Sequence, residues 1–238
     1  MTQTTLLVLA RSAGLVFRAP GFTHPSVPPM VRAALALALA LCIAPGVAAR
    51  PVLDLGAFTL AIAGEVALGA AIGFAASLLY DGAYYAGRMI DDYIGVRGSV
   101  PNAAVTSAQG FGRLWSSVFL AGFFLLDGYA VVVRAFAESF VHVGAGAMLA
   151  PAAWRAFALV LPATIVQVAF AIAAPAITVV ALVQLALGAI ARVVPRFGNF
   201  SLAFPIVFAA AIVMAIVTIP LLAPLAAHPR LPLPYAAK

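Results

Sequence analysis

The sequence predicts an all-α, integral-membrane-type fold, and three observations carry that prediction. The 238 residues are 65% hydrophobic and only 8% charged, where an average soluble chain is roughly 25% charged. Charge is absent over long stretches, 33–49, 55–64, 66–80, 114–126, 156–191 and 197–229, several of which reach the ~20 residues that a helix needs to cross a bilayer core. Backbone in lipid must also satisfy its own hydrogen bonds, so helix is the default form for such stretches.

Residues 4–18 read as a short first helix, ended by the proline-dense PGFTHPSVPP at 20–29, which cannot continue it. No basic residue precedes its apolar run and Arg11 stands in the middle of it, which does not fit a cleavable leader, so this segment is expected to be retained. MVRAALALALALCIAP at 30–45 alternates with period two, yet Ala and Leu are the strongest helix formers, and a second helix is expected up to Pro45-Gly46. A third helix over 55–93 exceeds a membrane span. Its first two thirds are apolar and its last third is charged, so it is expected to leave the apolar layer.

Helices at 111–126 and 129–142, broken at Asp127-Gly128, make up a helical region over 113–142, and GAGAMLAP at 144–151 is a flexible connection. From Ala152 to Val194 the chain stays apolar for about 64 Å at ~1.5 Å per residue, twice the ~30 Å hydrocarbon core. Pro162 and Pro175 interrupt it, so a kinked or folded-back helix pair is expected. RVVPRFGNFS at 192–201 is a turn, and a last helix over 202–222 precedes a proline-rich tail. This gives a C-terminal kinked hairpin over 152–224 within a single domain, 1–238, with no internal repeat.

Thirteen Lys and Arg against seven Asp and Glu give a net charge of +6. The basic residues are scattered, without the dense cluster that tracks nucleic acid, and read as helix-end anchors. They flank almost every loop, so the bias of Lys and Arg toward the cytoplasmic side gives no clean orientation. Cys42 is the only cysteine, which leaves no intramolecular disulfide and a packing role.

Asp81, Arg88, Asp91, Asp92 and Arg97 gather five of the twenty charges into residues 81–97. Arg88 can pair with Asp91 or Asp92, three and four residues on, either as a solvated helix end or as a polar contact for a partner chain. Glu65, Gly69, Gly73, Ser77 and Asp81 recur at steps of four on one inclined helical ridge, where small side chains let another backbone approach closely. That ridge is expected to serve packing, within this chain or between subunits. Glu65 is a carboxylate between two uncharged stretches, expensive enough in a membrane to be a functional candidate: either a proton relay or a hydrogen-bonded structural group.

The run GVRGSVPNAAVTSAQGFG at 95–112 carries no charge after Arg97 and four glycines. A neutral small-residue segment can plug a narrow pore and still yield to a passing chain; an ordinary connecting loop is the alternative. The plug residues are Gly98, Ser99, Val100, Pro101, Asn102, Ala103, Ala104, Val105, Thr106, Ser107, Gln109 and Gly110. There is no phosphate-loop motif, His24, His142 and His228 lie apart without metal-type spacing, and no Ser, His and Asp set is clustered, so no catalytic residues, metal or cofactor are expected.

LLVLARSAGLVFRAP with VRAALALALAL, then GEVALGAAIGFAASLLYDGAYYAGRMID, then LALGAIARVVPRFGNFSLAFPI form an ordered set. This set resembles the T component of bacterial type III secretion export gates, called SctT (SpaR-type) in injectisomes and FliR in flagella, over nearly the whole chain. AGRMIDD at 86–92 is more similar to the injectisome branch. The chain departs from the family at Val100-Pro101, where Asp-Pro is frequent, and at Tyr93, near a position often held by Gln.

The resemblance implies a non-enzymatic subunit of a protein-conducting pore in the bacterial inner membrane, built of kinked helical hairpins packed into a hetero-oligomeric helical complex. Its implied partners are the R and S gate components, the U component and export ring, unfolded secreted proteins in transit and membrane lipid, with no nucleic acid. The loop after the third helix is implied to help close the pore. A stand-alone secondary transporter using Glu65 and the proline-broken helices is the competing expectation, although such folds usually show inverted repeats.

Overall fold

The structure is a computed structural model that describes residues 2–23, 27–48, 52–95, 110–194 and 200–235. Helix α1 (Gln3–Arg18) begins where the Thr2 hydroxyl accepts the Thr5 amide at 3.3 Å, one of the donors that a first turn leaves without an intrahelical acceptor. Helix α2 (Pro29–Ile43) opens with proline in its first turn and closes in a 3-10 turn, Ala44–Gly46. Its buried residues are Ala36 and Ala40, one helical step of four apart, while Leu37 and Leu41 are exposed. Burial therefore follows the helical period and not the alternation of Ala and Leu in the sequence.

Helix α3 (Leu55–Ile94) has 40 residues. Helices α4 (Phe111–Leu125) and α5 (Gly128–His142) are separated by Asp127, which holds a left-handed φ of 58°. Helix α4 starts at Phe111, where the helix at 111–126 is expected, so the last two residues of the run at 95–112 are helical.

Helix α6 (Pro151–Val193) is one helix of 43 residues. The folded-back pair expected from Pro162 and Pro175 is thus corrected. A proline removes one intrahelical hydrogen bond, but a full break in apolar surroundings would strip several backbone groups of partners, so continuing the helix is the lesser penalty. Helix α7 (Phe200–Ala227) likewise runs through Pro205, Pro220 and Pro224, and extends beyond the end expected at 222. Among the described residues there is no strand, and Pro29–Gly46, Leu55–Ile94, Pro151–Val193 and Ala203–Ala227 are long and apolar enough to cross a membrane. Together with the composition this makes the chain a multi-pass membrane-type protein.

Two units make up the fold. The first contains residues 1–79, 127–163 and 228–238. There α1 packs on α2, and the first part of α3 packs on α1 through glycine. Ala71 and Ala75 of α3, with Phe157 of α6, form an apolar cluster covered by Trp154, Leu161 and Leu231.

The second unit contains residues 80–126 and 164–227. In it α4 packs on α7, with the rings of Phe111 and Phe208 5.9 Å apart, and Trp115 and Phe119 are buried. Gly82 of α3 meets α6 so closely that a Cβ there would stand 2.6 Å from a Val168 methyl.

Candidate functional site

The first unit is organised around one buried charge pair. Arg11 and Glu65 are 0% and 2% exposed. The Arg11 Nε donates to Glu65 Oε2, one terminal nitrogen donates to Glu65 Oε1 at 3.0 Å and to the Val143 carbonyl at 2.9 Å, and the other donates to the Ser139 hydroxyl at 2.9 Å. The Ser139 hydroxyl donates to the Phe136 carbonyl at 2.6 Å, and the Gly146 amide donates to Glu65 Oε1 at 2.6 Å. The Phe140 ring lies 4.0 Å from the guanidinium carbon, a cation–π contact that solvates the remaining face. The expectation that Arg11 is a helix-end anchor is corrected: it is the hub of a network joining α1, α3, α5 and the turn after α5. A guanidinium offers five donors in a planar fork, and one acid alone would leave several of them unmatched in this interior, which explains the recruitment of Ser139 and Val143.

The glycines of the ridge bring the backbones together around this pair. A Cβ on Gly69 would collide with the Arg11 carbonyl, and one on Gly73 would stand 2.5 Å from the Leu15 carbonyl oxygen. From the other side, a Cβ on Gly14 would collide with the Val66 carbonyl. Gly69 and Gly73 are therefore occupied by α1 of the same chain. Ser77 donates to the Phe74 carbonyl of its own helix at 2.9 Å, and Asp81 is half-buried. Arg18, one turn beyond this crossing, places its guanidinium 4.7 Å over the Phe74 ring.

In the second unit the charged passage divides its work. Arg88 meets Asp92 at 3.6 Å, with both side chains partly exposed. Asp91 is fully buried and accepts the Phe111 amide at 3.0 Å and the Gly112 amide at 3.3 Å. These are first-turn amides of α4, left without intrahelical acceptors, and a carboxylate there also matches the positive end of the helix dipole. Of the plug residues, Gly110 is the N-cap of α4 with φ 131°; Gly98, Ser99, Val100, Pro101, Asn102, Ala103, Ala104, Val105, Thr106, Ser107 and Gln109 lie outside the described residues.

The C-terminal segment returns to the first unit. The Tyr235 hydroxyl donates to the Ala135 carbonyl at 2.6 Å, and its ring stacks on His142 at 5.1 Å. Burial, followed by the nearby Glu138 carboxylate, pushes the Tyr235 phenol up to about 12, while the Arg11 charge opposes the shift. Among the described residues no three His, Cys, Asp or Glu side chains are placed to hold a metal ion.

Among the described residues the buried carboxylates are Glu65 and Asp91, and each accepts hydrogen bonds from other segments of the chain. Residues 2–229 match the family of bacterial export proteins, family 1. The chain belongs to this family. It is also similar to the flagellar biosynthetic protein FliR of Escherichia coli (strain K12), with 26% identity over 226 residues, covering 92% of this chain and 85% of the relative. In this bacterial export protein the Arg11–Glu65 network and the Asp91 contact both lie inside the matched region, and Tyr235 lies past its end.

Reasoning from the sequence missed Ser139, Val143 and Gly146, which carry no signal beyond a polar or small residue in apolar surroundings. The pairing of Arg11 with Glu65 had a signal, since each is a lone charge inside an apolar helix and neither is tolerable there without an opposite partner.

Proposed function

We propose that this protein is the T-type subunit of a type III secretion export gate, part of the pore that passes unfolded proteins across the bacterial inner membrane. The observation that carries this reading is the family match, which runs from residue 2 to residue 229 without omitting a helix. The dimensions support it. Helix α6, at 43 residues, is about 64 Å along its path, and hiding that length in a ~30 Å core would need a tilt near ~60°, well outside the usual 0–40°. Exposed apolar side chains along it, among them Leu159, Phe170, Leu182 and Leu185, are surfaces for sister subunits, the R and S components, with the U component and export ring beyond them.

The injectisome branch is the version proposed here, on the AGRMIDD passage at 86–92. The flagellar version has the FliR relative in its favour. In either, residues 98–110 plug the pore, on the strength of their neutral, small-residue composition. The transporter reading loses its proposed ion site, because the Glu65 oxygens accept from Arg11 and Gly146.

Co-expression with tagged R and S components tests the assignment: the chain should be recovered in a large hetero-oligomer. Recovery as a stable, solute-binding monomer refutes it. Deleting Ser99 to Ala108 should raise ion leak through the assembled complex, and unchanged conductance removes the plug while leaving the subunit.

A further inference from the structure

We infer that residues 229–235 are a releasable strap, which closes over an apolar face of the first unit and uncovers it when two side-chain anchors let go. The first anchor is Leu231, which packs on the cluster of Ala71, Ala75 and Phe157, as Trp154 does. The second is Tyr235. Its hydroxyl donates to the Ala135 carbonyl, its ring stacks on His142 with the planes 18° apart, and the Glu138 carboxylate lies near it. Ala135, Glu138 and His142 recur at steps of three and four, so they share one face of α5. Leu231 and Tyr235 are separated by at most about 14 Å of chain, so one short segment reaches from the cluster of α3 and α6 to that face.

The composition of the segment makes it a docked ligand more than a part of the core. HPRLPLPY at 228–235 contains neither helix nor strand, and proline at 229, 232 and 234 removes three backbone donors and holds φ near about −65°. A chain with these angles preset loses less conformational freedom on docking. It has few backbone donors to knit it into the fold, so its attachment rests on side chains, as when proline-rich segments dock on aromatic surfaces. Such a surface is present: the Trp154 and Phe157 rings meet edge to face 6.4 Å apart where Leu231 packs, and His142 stacks on Tyr235. A segment without secondary structure, held by few buried contacts, opens locally at low cost. Both anchors lie past residue 229, where the family match ends.

Limited proteolysis of the full chain, as purified in detergent, tests the strap. Arg230 is exposed, and trypsin can cut after it only when the segment lifts from its anchors. Release of the fragment that begins at Leu231 is followed by mass spectrometry, relative to cleavage of a free HPRLPLPY peptide. In wild type the rate should stay constant in urea below the concentrations that unfold the protein, because a local opening exposes little surface. Tyr235→Ala should raise it about tenfold or more, through the lost ring contact and hydrogen bond, and Tyr235→Phe, which keeps the ring, should fall between. Acrylamide quenching of tryptophan emission should rise after the cut, because the cluster beside Trp154 loses Leu231 while Trp115 stays 0% exposed in the second unit. A wild-type rate that climbs with urea in step with unfolding overturns the release. Equal rates in wild type and Tyr235→Ala overturn the anchor and with it the strap, and unchanged quenching after the cut overturns the covering role. Should Tyr235→Ala not fold, Tyr235→Phe and the wild-type urea series decide the same question.

Discussion

Replacing Glu65 with methionine leaves the Arg11 guanidinium buried with its opposite charge gone. The carboxylate accepts three hydrogen bonds, two from Arg11 and one from the Gly146 amide. After the substitution the guanidinium, which does not shed its proton in a protein interior, keeps only the neutral acceptors Ser139 and Val143 and the Phe140 ring. Removing one partner of a buried pair destabilises by about 3–5 kcal/mol, a large share of a total of about 5–15 kcal/mol. At about 2–4 °C per kcal/mol for a chain of this size, the unfolding midpoint should fall by about 6–20 °C.

The assay is thermal unfolding of the detergent-solubilised complex for Glu65→Met, Arg11→Met and the double variant. Two buried charges removed together can be nearly neutral, so the double variant should be more stable than either single one, giving a positive coupling in the cycle. Strict additivity, or a Glu65→Met protein as stable as wild type, refutes the claim that this pair is desolvated and mutually dependent.

Gly69→Ala should be strongly destabilising, because its Cβ would fall on the Arg11 carbonyl; Gly64→Ala on the same helix has open space and should be neutral or gain up to about 1 kcal/mol from helix propensity, both read by the same melts. Asp92→Ala should change stability by no more than about 0.5 kcal/mol, as for an exposed ion pair. Tyr235→Phe removes one hydrogen bond and should lower stability by about 1 kcal/mol. The Tyr235 phenol sits up to about 12 in the folded protein, above the ordinary value near ~10. Its contribution is therefore complete below pH ~10 and lost as pH rises from there through about 12; alkaline melts of Tyr235→Phe should lack that part of the decline.

Fold class and most helix boundaries were legible in the sequence because they depend on local properties. Low charge, strong helix formers and an obligation to satisfy backbone in an apolar setting act within a few residues, and α1, α3 and the break at Asp127 follow from them. Proline was the misleading local signal: it stops helices in water, but α6 and α7 continue through it where a break would strand more backbone groups than it frees. Glu65 stood out in the sequence, but its partner lies 54 residues away, and no periodicity encodes a contact across that distance.

The assignment of Asp91 inward and Asp92 outward shows the same limit at closer range. Adjacent residues on a helix point about 100° apart, and local pattern leaves Arg88 free to pair with either acid, as a solvated helix end or as a contact for a partner chain, with neither acid assigned to the interior. The approach of α4 to the last turns of α3 buries Asp91, and that approach is set by glycines at 87, 110 and 112 and by packing on α7, contacts that form only when segments distant along the chain have come together.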